Sequence, residues 1–186
     1  MNLKKRKVIV FKIFVSVLIA IITFLGCSTK ENDYVQTLKV DENLKDTLRV
    51  ILHEGQLKSE KTGYELNTSP QYYRVNWVIK NSTSSDLESL IQSENGMLKA
   101  IGFKGLYRRQ EKNWYNHLIN IMSDTTSYLY YKEGSLGETM KVSEFCLRKV
   151  IHYEILDSSS PVINSEQRKE INDLIVRYNL KVRIRE

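Results

Sequence analysis

The sequence predicts an all-α protein, a compact helical domain, and two observations carry that expectation. Apolar residues after residue 41 recur mostly at i, i+3 and i+4, the pattern of the buried face of an amphipathic helix. Between these stripes stand serine, asparagine, glycine and proline, at positions where such residues start and stop helices. The result is roughly six or seven short helices, each too short to be stable alone and therefore dependent on packing stripe against stripe.

The first stripe is Leu44, Leu48, Ile51 and Leu52, ended by Gly55 or the polar run after it. Residues 60–67 read as a loop containing Gly63. Ser69 and Pro70 restart a helix, since serine accepts from free amides of the first turn and proline suits that turn. The segment that follows has two readings. Val75, Val78 and Ile79 suit a helix, whereas Tyr73, Val75, Trp77 and Ile79 alternate as in a strand; the cap favours the helix.

Residues 84–124 form the centre of the chain. Ser85 and Glu88 have the spacing of a capping box, Leu87, Leu90 and Ile91 make one stripe, and Asn95 with Gly96 is expected to close the helix in the left-handed region. The next helix carries Leu98, Ile101, Gly102, Gly105 and Leu106 on one face and Phe103 and Tyr107 beside it. Two glycines within a helix cost roughly 1 kcal/mol each, which suggests that another helix approaches closely there. The third helix follows Trp114, His117, Leu118, Ile121 and Met122.

Past Asp124, Tyr128, Leu129, Tyr130 and Tyr131 read as a short extended piece or a distorted helix between glycines. Val142, Phe145, Cys146 and Val150 return to helical spacing, with Leu147 and Ile151 widening the face. Residues 157–161 are a loop by composition. Ser165 with Glu166 opens a last helix with Ile171, Leu174, Ile175 and Tyr178, and the tail 181–186 is expected to pack as an extended segment.

Asn95, Leu98, Lys99, Gly102, Gly105 and Leu106 stand in an order and spacing that resembles the second helix of a HEAT/armadillo-like helical repeat, and Asp124 repeats the turn residue. The resemblance implies HEAT-like helical hairpins and a protein-interaction surface. It implies no chemistry.

The amino terminus has its own logic. Lys4, Lys5, Arg6, Lys7 and Lys12 precede or flank an uncharged run, 13–25, apolar except for Ser16 and Thr23, that leads into Gly26 and Cys27. A basic start, an apolar centre of this length and a small residue describe a secretory signal peptide, a signal helix ahead of the domain. Counting 8–25 as one segment leaves an uncleaved anchor as the alternative. Phe24, Leu25, Gly26 and Cys27 resemble a bacterial lipobox, and the whole pattern resembles a group of uncharacterised bacterial lipoproteins. The resemblance implies lipidation of Cys27, membrane lipid as its partner, and a place in the cell envelope, at the outer membrane rather than the inner. The expected organisation is signal peptide 1–26, lipidated cysteine and polar tether 27–40, and one helical domain 41–186.

The formal charge of +6 raises the question of nucleic acid. Those five basic residues before the cysteine supply most of it, and the rest of the chain is nearly balanced, so no nucleic-acid partner is expected. A lipidated Cys27 leaves Cys146 alone, on the core face of its helix and unreactive.

No catalytic residue, metal ligand or cofactor is assigned. His53, His117 and His152 lack companions at metal spacing; His117 lies on a buried stripe and His152 at a helix end. Glu138, Glu144, Glu154 and Asp157 are acids that nothing pairs. Tyr128, Tyr130 and Tyr131 are the candidate binding surface, because rings on an irregular segment of a rigid scaffold serve recognition. The function expected is a membrane-anchored, non-catalytic interaction module with a protein partner in the envelope. The alternative is an envelope enzyme or glycan-binding protein that uses the tyrosine-rich loop 128–131.

Overall fold

A computed structural model of the chain describes residues 34–64, 67–156, with side chains to 151, and 161–182. The chain divides into two compact units, Met1–Thr37 and Leu38–Glu186. The signal segment and Cys27 lie outside the described residues of the first unit. The second unit holds the elements described below.

Seven helices are described in it: α1 (Glu42–Glu54), α2 (Pro70–Asn81), α3 (Ser84–Ile91), α4 (Gly96–Arg108), α5 (Trp114–Ser123), α6 (Val142–Leu156) and α7 (Ser165–Tyr178). Four strands accompany them: β1 (Leu57–Thr62), β2 (Asn67–Thr68), β3 (Tyr128–Gly134) and β4 (Leu136–Lys141). The all-α expectation is therefore overturned. The strands make one mixed sheet of order β2-β1-β3-β4, with β1 and β3 parallel and the outer pairs antiparallel. β1 escapes a pattern reading because Leu57-Lys-Ser-Glu-Lys-Thr62 has one apolar residue and no alternation. It is a strand because β3 pairs with it, Leu57 opposite Tyr131, across a long helical crossover that no local pattern reports.

Helix boundaries follow local chemistry. Asp41 caps α1 by accepting from the Asn43 amide, and Gly55, at φ 68°, closes it in the left-handed region. Ser69 accepts from Tyr72 at the start of α2, which settles the ambiguous segment as helix. The capping box of α3 lies two residues earlier than expected: Thr83 and Asp86 exchange bonds, not Ser85 and Glu88. Asn95 does not close α3 in the left-handed region. It caps α4, accepting from Met97 and Leu98, while Gly96 is the first residue of that helix. Likewise α7 begins with an Asn164–Gln167 capping box, one residue before the expected cap.

The core is built around α4, whose residues from Gly96 to Tyr107 are all buried except the half-buried Lys99. α2, α3, α5, α6 and β3 all pack against it. The close approach expected at its glycines is present: a Cβ on Gly102 would lie 2.5 Å from the Leu87 carbonyl oxygen of α3. The sheet turns Leu57, Leu129, Tyr131 and Met140 inward, and α2, α4 and α6 pack beside its strands.

Asp124 and Lys99, singled out by the repeat pattern, form an ion pair between α4 and the end of α5. Burial would raise the Asp124 carboxyl, but hydrogen bonds from Lys99, Ser127 and the Thr126 and Ser127 amides outweigh it and hold it below the usual range. Asp86 behaves alike. Burial is outweighed by bonds from the Thr83 amide and hydroxyl and the Asp41 amide, so its carboxyl also lies low.

Candidate functional site

The three tyrosines expected to act together lie on β3, a strand and not a loop, and strand alternation separates them. Tyr128 and Tyr130 point outward, 53% and 41% exposed, whereas Tyr131 points into the core at 7%. Tyr130 is partly structural: its ring covers Gly137 of β4, where a Cβ would lie 2.1 Å from the phenol oxygen. The outward pair borders a shallow depression with Gly55, Met97 and Thr139.

His53 is exposed, and His117 is half-buried beside Glu88 at 3.8 Å instead of lying within the core stripe. The His152 side chain, Glu154 and Asp157 lie outside the described side chains. Glu138 pairs with Arg148, and the buried Glu144 accepts from the amides of Lys141 and Lys181, holding the chain after α7. Among the described residues no cluster of three or more histidines, cysteines or acids has metal-holding geometry. Cys146 is buried and free, and burial pushes its thiol upward, away from the reactive thiolate.

The strongest site is on the inner side of the sheet, where no residue was expected. A cavity of about 160 Å3 lies between β1, β3 and the helices α2, α4 and α6. Its apolar wall includes Leu57, Val75, Ala100 and Ile101. The exposed carboxylates of Glu60 and Glu133 belong to its rim. Three lysines line it: Lys58 of β1, which is paired with Glu54, Lys104 from α4 and Lys149 from α6.

Lys104 is 8% exposed and has no carboxylate partner among the described residues. Its ammonium lies 5.3 Å from the centre of the Tyr72 ring, a contact far weaker than an ion pair in compensating burial. Burial, then the charges of Arg108 and Lys149, push its pKa down to about 7. Lys149 donates to the Tyr131 phenol oxygen at 2.9 Å and lies 4.5 and 5.2 Å from the ring centres of Tyr131 and Phe145. Burial lowers its pKa as well, while Glu133 acts in the opposite sense and supports its charge. The edge-to-face packing of Tyr131 on Phe145, centres 5.1 Å apart, holds this wall in place.

The placement follows from sequence once the fold is known. α4 is apolar nearly all round, so a lysine on it enters the core. Lys149 follows Phe145 by one turn and shares its face. Gln71 steadies the rim, donating from its buried amide to the carbonyls of Ile51 at 3.1 Å and Gln56 at 2.9 Å, so that β1 starts in register with α2. Chemically, the cavity offers the amines of Lys104 and Lys149 beside an apolar wall, under a rim that carries Ser59, Glu60 and Glu133, with room for a few heavy atoms.

Comparison of the chain with protein-family models, with curated proteins and with solved structures gives no match. No helix among the described residues is long and apolar enough to cross a membrane.

Proposed function

We propose that this chain is a lipid-anchored protein of the bacterial envelope whose folded unit binds a small anion, non-catalytically, in the lysine cavity. The observation that carries the binding is Lys104, an amine buried at the wall of a cavity without a counter-ion among the described residues. Burying an unpaired cation is costly, and an anionic ligand supplies the missing charge. The anchor rests on the basic start, the apolar run and Gly26-Cys27.

Titration of the full chain in detergent with acetate, glycolate and inorganic phosphate tests the binding. Because Lys104 titrates near pH 7, an anion that needs its charge binds with proton uptake. Affinity then falls about tenfold per pH unit above 7 and levels off below. Binding without pH dependence, or unchanged in Lys104→Met and Lys149→Met, removes the cavity as the site. For the anchor, Cys27→Ser is expected to leave an unprocessed precursor; normal lipid labelling of that variant would refute it.

A second reading is supported by Tyr128 and Tyr130, exposed side by side beside the Met97 depression: a protein partner in the envelope docking on the outer face of β3. Crosslinking in intact cells, with Tyr128→Ala as the control, tests it. A partner lost in the variant supports docking there, and a partner retained rules that face out.

A further inference from the structure

The cavity does not offer two equivalent cations. Lys149, though burial, Arg108 and Arg148 oppose its charge, has the exposed carboxylate of Glu133 acting in its favour and a phenol oxygen fixing its ammonium at 2.9 Å. Lys104 has neither; Arg108 and Lys149 oppose its charge, its ammonium lies 5.3 Å from the Tyr72 ring centre, and Val75, Ala100 and Ile101 belong to the same cavity wall. Near pH 7 Lys104 is thus divided between an ammonium, which a plain anion selects, and a free amine, while Lys149 has the support of Glu133 and the phenol. A neutral amine in an apolar enclosure is a nucleophile, the state in which lysines attack carbonyl carbon.

We propose that the ligand is a small oxo acid, a carboxylate bearing an aldehyde or ketone, which Lys104 captures reversibly as an imine while Lys149 holds the carboxylate. The proposal rests on the anion-binding reading of the same cavity and adds to it the class of ligand. In the capture the nitrogen lone pair of Lys104 forms the C–N bond and the carbonyl oxygen takes up a proton. The resulting carbinolamine loses that oxygen as water, with protons exchanged with solvent through the open rim, and the C=N bond remains. The balance is amine plus carbonyl giving imine plus water, with no oxidant or reductant. The small volume, about 160 Å3, restricts the ligand to a few heavy atoms, and the apolar wall favours a condensation that releases water.

The experiment uses the full chain in detergent with glyoxylate, with glycolate as the matched acid lacking a carbonyl, and cyanoborohydride to reduce any imine to a stable amine. Intact mass and peptide mapping are expected to find a single adduct, on Lys104. Its formation rate should rise with pH through about 7 and then level off, instead of accelerating towards about pH 10 as an ordinary alkyl amine does. Glycolate should protect Lys104, and Lys149→Met should raise the glyoxylate concentration needed for half-labelling by about tenfold or more. Lys104→Arg should abolish the adduct; the protection assay on the unaltered chain keeps the test valid if that variant does not fold.

If glyoxylate and glycolate bind alike and label spreads over exposed lysines, imine capture is wrong and the anion site stands. When neither acid binds and Lys104 stays unlabelled, both readings fall. Labelling of Lys104 with the same half-saturation in Lys149→Met overturns the role given to Lys149.

Discussion

The α3–α4–α5 segment and the cavity beneath the sheet handle charge in opposite ways. In the helical segment the buried and half-buried charges at the helix ends meet partners: Asp86 takes bonds from Thr83 and Asp41, and Lys99 pairs with Asp124, which also accepts from Ser127. Beneath the sheet, Lys104 is 8% exposed, and among the described residues its ammonium faces the Tyr72 ring and no carboxylate. Paired charges specify a structure and are spent in doing so. An unpaired one costs stability and stays available to a ligand, which is why the second region, not the first, is the candidate site.

The sharpest way to break this contrast is at the helix crossing. Gly102→Val would push a side chain into the Leu87 carbonyl and the Ile91 backbone, already 2.5 and 2.9 Å from a single added Cβ. A loss of about 3 kcal/mol or more in chemical denaturation is expected, and a loss under about 1 kcal/mol would mean that α3 and α4 do not approach so closely.

Next in size is a gain. Lys104 carries its proton up to about pH 7 when folded and to about 10.5 when unfolded, so burial of its charge costs most at and below pH 7, and the cost fades as pH rises towards 10.5. Lys104→Met should therefore stabilise the protein by about 2 kcal/mol at pH 6 and by progressively less above pH 8. Destabilisation at pH 6 would mean that the amine has a partner and that the contrast is false.

Smaller again is Asp124→Asn. The folded carboxyl has a lowered pKa, so its stabilisation is complete above the ordinary value of 3.8 and is lost as pH falls below it. The variant should lose about 1–2 kcal/mol at neutral pH, with the difference from the parent shrinking in acid; a constant difference would assign the loss to packing.

Much of the helical segment was legible because its signals are local. Ser69-Pro70, Asn95 and the stripes of α1, α5 and α6 each act within one or two turns, and α3, α4 and α5 lie where their periodicity puts them. Competing local donors explain the displaced caps: Thr83 and Asp86 sit at the same spacing as Ser85 and Glu88, and the earlier pair won because Asp86 also receives the Asp41 amide from the start of α1. Proximity in sequence groups Tyr128, Tyr130 and Tyr131. A strand turns neighbours to opposite faces, which sends Tyr131 to the lysine wall and leaves Tyr128 and Tyr130 outside.

By itself the sequence determined the helices of the 83–124 segment, the close contact at Gly102, the buried state of Cys146, and the amino-terminal pattern that motivates a lipid anchor. These follow from capping, periodicity and steric bulk, which reach no farther than neighbouring turns. Tertiary structure alone decided that β1 is a strand, that four helices lie between it and its parallel partner β3, and that Lys104 and Lys149 share one cavity. A polar strand has no signature of its own until another strand pairs with it. Nor does a lysine have an unusual acidity until the fold removes its water and withholds its counter-ion.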